Sequence, residues 1–412
     1  MVTSGVGCGY GEGGPARDVA ETGEQGASAT TGAESIERVA DGLPRGLAMV
    51  AARGALHIAY VTRDGSRDRV VYRRRAGASG PFSEETVAIA SETTLEGTGL
   101  ALDPAGEPHV AFFDRGRILV ARRAAAGGWS AELVDGGVGA LIHPKPRLAI
   151  GSDGVEQLVY SAFATGPDGR SRATVKHAAR GAVGFASSVV DFGAPPPGWT
   201  VETTGNAALA LDAANQPHVC YELSRSVPAV SSASDLFYAK REIGGWAGEL
   251  AERGGRRGGS CSIALDGGGR PVISHLDWGT YDLHVTRREG SGWSTHVVDA
   301  DGAVGRFSSL AFDRSGGAHV AYVDEMSGML KRARSPDAAG GWTVDDVLPA
   351  QAFAGGDMVG AIDDAPTSAP GGPGGPGGPG AQGVAPTAHF LLTRISGGSG
   401  GRGELIYLRR SR

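Results

Sequence analysis

One motif recurs along this chain and limits what it can fold into. In the clearest copy, residues 99–135 read GLALDPAGEPHVAFFDRGRILVARRAAAGGWSAELVD. The stretch holds four short extended runs: Leu100 to Asp103, His109 to Phe113, Ile118 to Arg122 and Trp129 to Val134. Pro, Gly and Asp separate them, and Gly127-Gly128 turns the chain into the last run. Short β-rich runs repeating at roughly 40–50 residues predict a β-propeller with one four-stranded blade per repeat. A blade cannot bury both faces alone, so each needs a neighbour on either side. The small residues Ala101 and Ala111 let adjacent sheets stack closely.

The motif can be placed seven times, with copies opening at Leu47, Gly99, Arg147, Ala208, Cys261, Ser308 and Val359. The third copy is degenerate: it keeps the Asp153-Gly154 turn but has Gln157 where His109 stands in the second. The seventh is interrupted by a Gly/Pro-rich insert at 366–387, expected to be a disordered surface loop, and it ends after three runs. Upstream of the first copy, ESIERVA (Glu34 to Ala40) matches a fourth run. An orphan fourth run at one end and a missing one at the other close a ring and remove both exposed edges. The predicted fold is therefore all-β, a seven-bladed β-propeller over 34–412 whose last blade is closed by an N-terminal strand. Residues 1–33, rich in Gly, Ala, Thr and acidic side chains, are expected to form a disordered tail.

A formal charge of -6 argues against a nucleic-acid partner, which calls for a basic field. Lysine occurs only as Lys145, Lys176, Lys240 and Lys331, and the arginines are scattered. No apolar run is long enough to span a bilayer, so no transmembrane segment is expected. The N-terminal residues show neither a basic n-region nor an apolar h-region, so no secretory signal is visible. Cys8, in GVGCGYG, reads as a tail cysteine, or as a lipobox remnant if the start lies inside a longer precursor. Cys220 and Cys261 fall in neighbouring copies and are expected to be buried thiols. A bridge between them is the alternative, and it would imply an oxidising compartment. Their spacing fits no metal pattern, and neither a metal nor a cofactor is expected.

The pattern L-A-L-D-x-x-G-x-P-H-V-A-Y, then L-x-Y-A-R-R, then G-G-W-x-x-E-x-V-D, resembles the repeat of bacterial propeller proteins described as BNR-like or sialidase-like. The resemblance covers nearly everything from Ser35 to Arg410 and implies the fold more than an activity. Sialidases carry Asp boxes of the form S-x-D-x-G-x-T-W; none is present here, so sialidase chemistry does not carry over.

The pairs Asp103/His109, Asp212/His218, Asp313/His319 and Asp363/His389 tempt an acid–base or metal reading. A feature repeated around a ring is better explained as building it: the Asp caps a Gly-rich turn and the His opens the next strand. Trp129, Trp246, Trp293 and Trp342 are likewise repeat-bound, expected to anchor fourth strands against the next blade. Function is sought where the repeat breaks, on the face made by loops between blades and between second and third strands. The loop 136–146 carries His143 and Lys145. The loop 192–205 holds a triple proline and Trp199, and the loop 252–260 holds Arg253, Arg256 and Arg257. Asp277, Trp278, Tyr281 and Asp282 place two aromatics beside two carboxylates, with Asp324 and Glu325 in the equivalent loop of the next copy. Aromatics flanked by carboxylates suit sugar rings, and arginines suit an acidic sugar. No nucleophile–base pair, G-x-S-x-G elbow, H-E-x-x-H or Walker loop is legible.

The sequence thus predicts a monomeric, non-catalytic, extracytoplasmic binding module for a glycan or a protein partner. The ligand-binding candidates are Trp278, Tyr281, Asp277, Asp282, His143, Trp199, Arg256 and Asp324. The alternative is a carbohydrate-active hydrolase or lyase on the same face, using His143, Tyr281 and a carboxylate among Asp277, Asp324 and Glu325.

Overall fold

The computed structural model describes residues 34–411 apart from 78, 91–94, 125–126, 139–144, 167–168, 170, 192–199, 228–229, 349–357, 364–386 and 397–401. The expected tail at 1–33 and nearly all of the 366–387 insert lie outside the described residues. Every sheet is four-stranded and antiparallel, and there are seven of them, with no helix among the described residues. Blades 1 to 6 span 45–89, 95–135, 147–191, 200–252, 259–299 and 306–348, each a meander of consecutive strands. Blade 7 breaks that rule: its order runs Met358–Asp363, Thr387–Ser396, Arg402–Ser411 and then Glu34–Asp41. The N-terminal strand pairs antiparallel with the last one, Ile36 opposite Leu408 and Arg38 opposite Ile406. The first strand of each blade touches the first strands of the blades before and after it, and the strand Met358–Asp363 touches Arg45–Ala52. The ring is thereby closed around its axis.

The core follows from strand periodicity. Each blade turns alternate side chains to its two neighbours, and one apolar cluster fills each of the seven interfaces. Tyr60, Tyr160, Tyr221, Tyr322 and Tyr407 are among the fully buried side chains. The fourth-strand tryptophans pack against the preceding blade, not the next one as the sequence suggested. Trp129 meets Tyr72 edge-on at 5.3 Å and donates to Glu85, Trp246 meets His177 at 5.1 Å, and Trp293 meets Tyr238 at 5.2 Å.

The repeated Asp residues do build turns. Asp212 Oδ1 accepts the Ala214 and Gln216 N–H groups, Asp266 those of Gly268 and Arg270, and Asp313 those of Ser315 and Gly317. The paired histidines sit beside them, His319 Nε2 at 2.9 Å from Asp313 and His218 Nε2 at 3.4 Å from Asp212.

At the axis, first strands of adjacent blades come close enough to exclude side chains. Gly46, at φ +61°, lies so near the Gly97 backbone that a Cβ would stand 2.5 Å from its Cα. A left-handed conformation costs a non-glycine residue roughly 1–2 kcal/mol, and overpacking adds about 1–3 kcal/mol. Gly46→Ala is therefore expected to destabilise the ring by about 2–5 kcal/mol, a difference that denaturant titration of the two proteins would resolve.

Candidate ligand-binding face

Loops leading from one blade to the next share a face with the loops joining second and third strands. In blade 5 the two kinds touch: the Trp278 N–H donates to the Arg256 carbonyl at 2.7 Å. Asp277 ends the second strand, 2 % exposed. Its Oδ1 accepts the Gly279 N–H at 2.8 Å, and its Oδ2 accepts the Thr280 hydroxyl at 2.8 Å and the Arg257 guanidinium. Asp324 does the same work in blade 6, accepting the Met326 N–H and the Ser327 hydroxyl. Both carboxylates are consumed in shaping their own turns. Asp282, directly opposite Asp277, opens the third strand and is half-buried.

What these turns hold out is aromatic and cationic. Tyr281 is 42 % exposed and sits at φ +62°, a conformation uncommon for a bulky side chain. Its ring meets Trp278 nearly at right angles, centroids 6.3 Å apart. The Trp278 indole lies against Gly259, where a Cβ would come within 2.3 Å of Nε1. The Arg306 guanidinium stands 5.9 Å from the Trp278 ring centre and 5.0 Å from that of Phe307, and it pairs with Glu325. The Lys145 ammonium, from the segment entering blade 3, stands 5.8 Å from the Phe307 ring. Blades 3 and 6 are not neighbours in the ring, so this contact spans the mouth of the axial channel.

Arg256, Asp277, Trp278, Tyr281 and Asp282 thus share one cluster, and Asp324 belongs to the adjoining blade-6 turn. His143 and Trp199 lie outside the described residues. The expected loop at 192–205 is shorter than the composition suggested. The first strand of blade 4 already begins at Thr200, because residues 200–203 pair with Leu223 to Ser226 in a hairpin prolonged beyond the sheet. Arg257 turns inward, to Asp277 and Glu252.

Arg306 and Phe307 escaped the sequence reading, although a signal existed. Blades 1, 2, 5 and 6 each carry a bulge at the entry to the first strand, with a left-handed residue at Gly46, Gly97, Ser260 and Phe307. A phenylalanine in a slot that takes glycine in blades 1 and 2 costs about 1–2 kcal/mol in backbone strain. Such strain gathers at functional places.

Beneath this face, Glu252, His275 and His284 bring ligating atoms within 4.8 Å of one another. Burial opposes ionisation of the Glu252 carboxyl, but hydrogen bonds from His275 and His284 prevail and hold it well below the usual carboxylate range. Burial outweighs Glu252 in depressing the His275 imidazole, which stays neutral.

Fold and face together define a class: a seven-bladed β-propeller with an aromatic and cationic channel mouth. No family model matches the sequence, and no curated protein is similar to it. Among solved structures, the chain is similar to an ulvan lyase of polysaccharide lyase family PL25 bound to -[GlcA(1-4)Rha3S]-. The TM-score is 0.54 at 13% identity, over 89% of this chain and 94% of that one. It is also similar to the polysaccharide lyase Uly1, with TM-score 0.54 and 11% identity over 90% of each chain. A Trypanosoma rangeli sialidase superposes more loosely, at TM-score 0.43 and 11% identity over 93% of this chain and 60% of its own. At these identities the likeness is one of fold.

Proposed function

We propose that this propeller binds an anionic glycan across the channel mouth, without catalysing a reaction on it. One observation carries the reading: Trp278, Tyr281 and Phe307 stand beside Arg306 and Lys145 at the mouth, with Arg256 exposed at its rim. Flat rings receive the apolar faces of sugars, and guanidinium groups receive carboxylate or sulfate in paired hydrogen bonds. Two of the carboxylates a glycosidase could use are taken up in their own turns, Asp277 with Arg257 and Asp324 with Ser327, and the third, Glu325, pairs with Arg306. That the two solved structures of highest likeness described above are polysaccharide lyases is consistent with an acidic-sugar ligand.

The test is a binding panel of neutral, uronate-rich and sulfated polysaccharides, run with the native chain and with the Trp278→Ala/Arg306→Ala variant. Each lost contact of about 1.4 kcal/mol is worth tenfold, so the double variant should bind an acidic polysaccharide at least about tenfold more weakly. Equal binding by both proteins, or preference for neutral chains, would overturn the proposal.

A second reading is favoured by Tyr281 alone. An exposed phenol held in a left-handed turn, its ring against Trp278, which in turn faces Arg306, has the makings of a β-eliminating base, with arginine drawing charge from the uronate carboxylate. Incubation of a uronate polysaccharide with the protein would then raise the ultraviolet absorbance of an unsaturated product, and Tyr281→Phe would abolish the rise.

A further inference from the structure

Two interfaces of this ring share a polar device that a third replaces. At the blade 2–3 interface, Asp135 ends a fourth strand and its Oδ2 accepts the Tyr160 hydroxyl at 2.8 Å and the Lys176 ammonium at 2.7 Å. Blades 5 and 6 repeat it: Asp299 Oδ2 takes the Tyr322 hydroxyl and the Lys331 ammonium, both at 2.7 Å. Tyr and Lys face each other across the second and third strands in both cases. The lysine supplies the cation that makes a buried carboxylate tolerable.

Between blades 4 and 5 the same three positions are Glu252, His275 and His284. His275 and His284 are directly paired across the second and third strands, and Glu252 is the last residue of the fourth strand of blade 4. Glu252 Oε2 lies 2.8 Å from His275 Nε2, and its Oε1 lies 3.2 Å from His284 Nδ1. Both imidazoles are buried, His275 fully, while the Glu252 side chain keeps 13 % of its surface. The built-in ammonium is gone. Arg257 Nε approaches Glu252 Oε1 at 3.2 Å, but that guanidinium is also bound to Asp277.

We propose that Glu252, His275 and His284 bind one zinc ion, which replaces the missing lysine and ties blade 4 to blade 5. Two imidazole nitrogens and a carboxylate are a donor set suited to zinc. Tetrahedral bonds of about 2.0–2.1 Å place neighbouring ligand atoms about 3.3–3.4 Å apart, close to the separations of these groups. Thr286 completes the surroundings, its hydroxyl 3.0 Å from His275 Nε2 and 3.2 Å from Glu252 Oε2. With zinc on Nε2, the His275 imidazole carries its proton on Nδ1. The exposed edge of Glu252 leaves the fourth position open to water. This site does not depend on the glycan reading, since it draws on none of the aromatic and cationic groups at the mouth.

The untagged full chain, stripped with a chelator, should take up one equivalent of zinc by calorimetric titration. Saturating zinc should raise its melting temperature by about 3–5 °C. Cobalt in place of zinc should give the visible absorption of a tetrahedral N/O site. The decisive variant restores the device used elsewhere in the ring, His275→Tyr with His284→Lys. It should fold, bind neither metal, and melt near the zinc-loaded native chain. No saturable zinc uptake by the native chain would overturn the proposal. So would undiminished uptake by the double variant, or by Glu252→Gln if the double variant fails to fold.

Discussion

A chain beginning at Gly42 should fail to form a stable ring. The strand Glu34–Asp41 is the fourth strand of blade 7, and removing it strips the ladder from Arg402–Ser411, leaving a long strand edge open to other chains. The loss is not confined to backbone pairing. Val39 belongs to the apolar cluster between blades 7 and 1, with Leu47, Tyr60, Leu405 and Tyr407. Glu37 pairs with Arg75, whose guanidinium is 3 % exposed and stacked 4.7 Å over Phe82 and 4.6 Å over Tyr407. The Val39 carbonyl accepts from Arg73. Without the strand, Arg75 loses its carboxylate and the Val39 side of the apolar cluster is opened to water. Losses of this kind fall on a fold held by only ~5–15 kcal/mol. Thermal denaturation followed by circular dichroism and light scattering should show aggregation and no cooperative transition, and a peptide of residues 33–44 added in trans should restore one. A truncated chain melting within a few degrees of the full one would mean the ring closes otherwise.

Glu156→Gln should lower stability by about 3–5 kcal/mol, or about 4–6 °C in melting temperature for a propeller of this length. Glu156 is 1 % exposed between blades 2 and 3, and binds His109 Nδ1 at 2.6 Å and Arg122 at 2.7 and 2.5 Å. Arg180 lies 3.5 Å away and shares Glu132 with Arg122. Burial works against the charge, but the His109 and Arg122 hydrogen bonds prevail and bring the Glu156 pKa down to about 2. A carboxylate depressed on folding stabilises above its unfolded value near 4.5, and that contribution is lost as pH falls from there toward about 2. His57 and His177, held neutral by burial at about 4, act in the same direction one step earlier. They resist protonation that the unfolded chain accepts below 6.5, so stability falls as pH drops from 6.5 toward 4. Acid unfolding should therefore begin with the histidines and steepen below pH 4.5, and Glu156→Gln should make that lower part less steep without changing the histidine part, the rest coming from depressed carboxylates such as Glu252 and Asp313. A variant whose profile parallels the native one throughout would show that Glu156 is not the responsible group.

The same residue marks a limit of sequence reading. In the third copy Glu156 and Gln157 stand where the second and fourth copies have Pro108-His109 and Pro217-His218, and from sequence this looks like decay. In the folded ring it is an exchange: His109 of blade 2 and Glu156 of blade 3 meet across the interface. The tryptophans were recognisable as repeat-bound, yet the blade they press on was not, since a meander reads identically for either direction of ring. Asp277 and Asp324 drew attention as carboxylates beside aromatics, and only their hydrogen bonds show them spent on turns. Phe307 stood in the open as a departure from a slot that takes glycine in blades 1 and 2, but that slot is visible only once the bulge is known.

What the sequence determined by itself is the architecture: strand length, turn positions, blade number and the closing strand. These follow from local alternation and turn chemistry, repeated until only one arrangement leaves no face or edge uncovered. What only the tertiary structure decided is which copies meet and across which side chains. Glu252, His275 and His284 come from two blades, and Lys145 and Phe307 from opposite sides of the ring. Contacts of that kind depend on how the blades are arranged around the axis, a geometry on which no short window of residues carries information.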